Sequence, residues 1–208
     1  MINLKAYLYE KAKPIIEGWD EDGIYAISFF VYSNLASVYQ QYHNVSEFAV
    51  SYNTEKDCGN ASKYCETRWN FAFWRQNTTH IINPHEENNE GMKILFQWYK
   101  ENGIENIGVE DPGSMYDENH MYIGKGPSGY YELLTAVSEV ARQMQTEGLI
   151  SGKFGPIPII VHGLEYYGLI KEATKHANPN GEADDFIMSM FEERYEDDDD
   201  GFDDGFIF

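Results

Sequence analysis

The sequence predicts an α+β fold: one domain in which a small mixed or antiparallel sheet packs against several helices. Three observations carry this. The run Ile24-Tyr25-Ala26-Ile27-Ser28-Phe29-Phe30-Val31-Tyr32 is apolar on nearly both faces, as a strand in the middle of a sheet must be. Apolar stripes at helical spacing recur along much of the remaining chain. The elements run helix, strands, helices, strand, helices, without the regular alternation that builds a parallel α/β sheet.

Taken in order, residues 3–18 read as a helix, because Leu4, Tyr7, Leu8, Ala12, Ile15 and Ile16 fall on one face. Gly18 and the acidic turn Asp20-Glu21-Asp22-Gly23 stop it. The central strand 24–32 follows, and 47–53 is its neighbour across a loop. Thr54 to Lys63 is polar and reads as loop or short helix. Arg68-Trp69-Asn70-Phe71-Ala72-Phe73-Trp74 alternates rings with smaller residues and fits either a third strand or a turn of helix that puts Trp69 and Phe73 on one face. Residues 86–102 form a helix with Met92, Leu95, Phe96 and Tyr99 inward, closed by Asn102-Gly103.

The Gly-, Asp- and Asn-rich stretch 104–127 reads as a long surface loop. Ser128 is placed to cap a helix over 129–147, with Glu132 as its capping-box partner. Residues 156–162 form a short strand whose prolines put its start at an edge. Helices over 164–177 and 182–195 complete a domain of residues 1–195, and 196–208 is an acidic tail carrying Phe202, Phe206 and Phe208.

Charge narrows the function classes. The formal net charge is −20, and seven of the carboxylates lie from Glu196 onward, so the tail exaggerates the imbalance without creating it. Nucleic acid and anionic membranes are excluded as partners, because each phosphate contact needs a Lys or Arg. The expected partner is a basic protein. No apolar run approaches the ~18 residues of a spanning helix. The N-terminus lacks the basic and apolar regions of a secretory signal, so the expected compartment is the cytoplasm, with Cys58 and Cys65 as reduced thiols.

No motif names a reaction, and no cofactor or metal is expected. The tail matches a calcium loop at Asp198, Asp200 and Gly201, but Ile207 stands where the bidentate Glu belongs. Cys58, Cys65, His80 and His85 have suitable histidine spacing for zinc, but the cysteines are too far apart. His85-Glu86-Glu87-Asn88-Asn89 has Asn where a zinc-protease helix needs its second histidine. The glycine-rich turn Gly124–Gly129 precedes a helix but lacks the lysine-then-hydroxyl ending of a phosphate loop. The strand-end His162 with nearby Glu165 forms a candidate acid/base pair in a pocket. The candidate partner-binding residues are the rings Trp69 and Trp74, with Phe73 and Trp98, and the tail carboxylates Asp198, Asp200, Asp203 and Asp204.

Several segments resemble a known family. Ala49-Val50-Ser51-Tyr52-Asn53-Thr54-Glu55, the Trp69–Trp74 block, the junction Ile157-Pro158-Ile159-Ile160-Val161-His162-Gly163-Leu164-Glu165-Tyr166 and Ala177-Asn178-Pro179 are similar, in that order, to the bacterial domain-of-unknown-function family 4303. The resemblance implies a small acidic α+β protein of the kind found near polymorphic toxins and proposed as immunity proteins. It brings no catalytic residues.

Overall fold

A computed structural model describes residues 1–35, 37–42, 44–110, 115–118, 123–166 and 168–191. The expected docking carboxylates Asp198, Asp200, Asp203 and Asp204, and the calcium-loop positions beside them, lie outside the described residues.

The architecture is α+β, as the sequence predicts. Strand β1 (Ile24–Asn34) lies in the interior of a four-stranded mixed sheet. Strand β2 (Val45–Thr54) pairs with it antiparallel, β3 (Thr79–Ile82) adds antiparallel to β2, and β4 (Ile159–His162) lies parallel to β1 on its other side. The order is therefore β3-β2-β1-β4. A register shift between Ile24 and Ala26 marks a bulge at the start of β1.

Alternation along β1 sorts the side chains. Ile27, Phe29 and Val31 face the main core with Phe48 and Val50 of β2 and Ile159 and Val161 of β4. Three long helices cover this face: α1 (Leu4–Glu17), α3 (Glu90–Glu101) and α4 (Tyr130–Thr146). Leu4, Leu8, Ala12 and Ile16 of α1 and Leu133, Val137, Val140, Ala141 and Met144 of α4 are all fully or almost fully buried, which is the stripe that helical periodicity requires.

The opposite face carries Ala26 from β1 and Ile160 from β4. It is covered by the short helix α2 (Glu66–Trp69), a 3₁₀ turn over Phe71–Phe73, and α7 (Asp184–Phe191). The longer helices thus share one face, but both faces are covered. The Trp block is helical rather than a third strand. The Asn70 side chain accepts the Ala72 N–H and starts the 3₁₀ turn, and Trp69 and Phe73 part company, the first buried and the second 56% exposed.

Helix α5 (Ser151–Phe154) is a single turn before β4, and α6 (Gly168–Ala177) flanks β4. Here two side chains stand in for a missing strand. Thr174 Oγ1 accepts the Val161 N–H (3.0 Å) and donates to the Val161 carbonyl (2.9 Å). Asn178 does the same for Ile159, accepting its N–H at Oδ1 (2.9 Å) and donating Nδ2 to its carbonyl (2.7 Å). The outer backbone edge of β4 is thereby satisfied at both outward-facing residues.

Three boundaries differ from expectation for local reasons. Helix α3 starts at Glu90 rather than residue 86 because Asn89 caps it, its Oδ1 accepting the Met92 N–H. Ser128 does not cap α4. Its hydroxyl donates to the Glu105 carbonyl, and Glu132 instead accepts the N–H of Gly129. Helix α6 starts at Gly168, so Leu164 and Glu165 lie in the bend that joins it to β4.

Candidate functional site

Two groups of polar side chains lie near the carboxyl ends of the parallel pair β1 and β4, the place where open α/β sheets form ligand crevices. The first is buried in the sheet. His162 sits opposite Phe30 in the register and Ser28 opposite Ile160, which puts Ser28 and His162 on one face. His162 Nε2 lies 2.8 Å from Ser28 Oγ, and Nδ1 lies 2.8 Å from the Gly163 carbonyl. A carbonyl only accepts, so Nδ1 carries the proton and Nε2 accepts the Ser28 hydroxyl.

This is the tautomer of a nucleophile–base pair, with a carbonyl in place of the orienting carboxylate. Its surroundings are not those of a catalyst. Ser28 and His162 are both 0% exposed. The rings of Phe71, Phe30 and Tyr166 stand 4.8, 5.6 and 5.8 Å from the imidazole. Burial lowers the His162 pKa to about 4, so the ring is neutral at physiological pH. Sealed from solvent, the pair satisfies two buried polar groups and has no access to a substrate.

Glu165 does not join it. It is exposed, and lines a cavity of about 270 Å³ at the ends of β1 and β4, whose walls do not include His162. The acid/base pair expected from the sequence is not assembled. Tyr32 and Ser33 of β1, Tyr130 at the start of α4, and Leu164 and Leu169 from the β4–α6 connection and α6 form the cavity with Glu165, the one charged residue in its lining among the described residues. Gly126 makes room for the Tyr130 ring. A Cβ at Gly126, whose φ is +73°, would stand 2.6 Å from Tyr130 Cδ1.

The expected docking rings are placed differently. Trp69 and Trp74 are each 4% exposed and pack edge-on against Tyr25. Their indole N–H groups donate to the carbonyls of Lys63 (2.7 Å) and Arg68 (2.9 Å). They roof the second sheet face and are not surface anchors. Trp98 is half-buried, so of the four rings Phe73 alone is well exposed. Arg68 lies 3.9 Å over the Tyr25 ring and pairs with both oxygens of Glu55 (2.6 and 2.7 Å).

Cys58 and Cys65 are free thiols. His80 pairs with Glu47 at 3.3 Å and His85 lies 3.3 Å from Asn34 Oδ1, so the four residues of the zinc-like pattern have separate partners. Among the described residues no group of three His, Cys, Asp or Glu side chains is placed to hold a metal ion, and no helix is long and apolar enough to cross a membrane.

The distribution of charge is the remaining element. Lys5, Lys11, Lys13, Lys63, Arg68 and Arg75 are committed to ion pairs with Glu139, Glu90, Glu17, Asp185, Glu55 and the Glu21–Asp57 pair. These contacts, mostly exposed, add little stability. They do neutralise six of the 15 lysines and arginines in place, and the excess carboxylates set the surface potential. No protein-family model matches the chain, and no curated protein or solved structure is significantly similar to it.

Proposed function

We propose that the chain is a non-enzymatic binding protein, an immunity-type inhibitor that docks on a basic partner such as a toxin. The observation that carries this reading is the net charge of −20, with 35 carboxylate side chains against 15 lysines and arginines. Such a field speeds encounter with a basic protein and fixes its orientation. The sealed Ser28–His162 pair removes the best catalytic candidate and so favours binding over catalysis.

The test is capture from lysate, identification and purification of the bound protein, and reconstitution of the pair. The expected result is a one-to-one complex that suppresses the partner's own activity, with an association rate falling about tenfold or more between about 0.05 and about 0.5 M salt. Binding no tighter than that of polyglutamate of equal charge, or an association rate indifferent to salt, would overturn the proposal.

A further inference from the structure

We infer that the cavity at the carboxyl ends of β1 and β4 receives one lysine or arginine side chain of that basic protein. This deepens the inhibitor reading and rests on it. The chemistry of the walls selects the occupant. Among the described residues Glu165 is the one charged residue in the lining, and none of them that lines it is a Lys, Arg or His. Its carboxylate has no hydrogen-bond or ion-pair partner among the described residues, unlike that of Glu55, which Arg68 engages on both oxygens.

Tyr32 and Tyr130 put aromatic rings in the walls, a side-chain class that attracts cations, and Leu164, Leu169 and Ile170 supply apolar surface for the methylenes of a long basic side chain. An anionic occupant is disfavoured twice. The net charge repels it, and at the N-terminus of α4, the natural anion donor at this spot, the Glu132 carboxylate already accepts the Gly129 N–H and adds negative charge. Leu164, 59% exposed, carries the apolar lining out to the cavity mouth, where a partner side chain would be flanked by apolar surface.

The experiment titrates the full chain with Nα-acetyl-lysine methylamide, its arginine counterpart and its norleucine counterpart, following backbone amide resonances. The expected result is perturbation at Ser33, Gly126 and Gly163 by the two cationic probes. Binding should be weaker by about fivefold for norleucine, and weaker by about fivefold for the lysine probe after Glu165→Gln. Leu164→Lys, at an exposed position, sets a competing cation at the mouth and should abolish the perturbation. Perturbation that norleucine reproduces, or that Glu165→Gln leaves unchanged, overturns the inference.

The same variants are then measured against the reconstituted basic partner. An affinity loss of about tenfold for Glu165→Gln supports the socket. An intact inhibitory complex with both variants removes the socket and leaves the inhibitor reading standing. Binding of the lysine probe by a chain that engages no basic protein removes the inhibitor reading, and with it the docked side chain, in favour of a free amine.

Discussion

The imidazole of His162 shows how a single buried group can tie stability to pH. Its folded-state pKa is depressed from 6.5 to about 4 by burial, so the unfolded chain binds a proton that the folded chain refuses. Stability is full above pH 6.5 and declines as pH falls toward 4, by up to about 3 kcal/mol from this group. His162→Phe should flatten that acid limb while costing about 1–3 kcal/mol at pH 7, because Ser28 Oγ and the Gly163 carbonyl lose their partner. Denaturant titrations at pH 7 and pH 4.5 check both effects, and an unchanged acid limb would refute the assignment. The sequence placed His162 correctly at a strand end, but not its partner. Ser28 is a lone hydroxyl in an apolar run, and only the β1–β4 register, set by contacts far apart in the chain, brings the two together.

At the scale of elements, legibility followed burial pattern. Strand β1 and helices α1 and α4 were readable because a continuous apolar run and a 3.6-residue stripe have few other interpretations. Strand β3 was not. It has four residues, Thr79 and His80 are exposed, and Asn and Pro surround it, so it carries no period of its own and exists through pairing with β2. The Trp block was readable as aromatic but not as buried. A ring on a short helix looks alike in sequence whether it meets a partner or, as Trp69 and Trp74 do, covers a second sheet face. Helix α6 and the residues after it depend on their side chains as much as on their backbone. Thr174→Val keeps the shape but leaves both backbone groups of Val161 without a partner, and should lower stability by about 2–4 kcal/mol. Faster hydrogen exchange at the Val161 amide would accompany it, and a neutral substitution would show that water replaces the hydroxyl.

For the whole molecule, the dominant long-range force is self-repulsion. With 35 acidic and 15 basic residues, folding gathers like charges that the unfolded chain keeps further apart. Raising monovalent salt from about 0.01 to about 0.5 M should therefore raise the melting temperature by a few degrees, in a range where specific ion pairs alone would lower it. Differential scanning calorimetry gives the sign directly, and a falling melting temperature would mean that the six paired cations outweigh the carboxylate excess. Asn178 and Thr174 also decide what happens when copies meet at high concentration. A sheet grows into a filament only if it can add a neighbour at each end, as a monomer needs two reactive ends to polymerise. With the β4 end occupied by its own side chains, this sheet is monofunctional at most, so strand-to-strand addition stops at a pair.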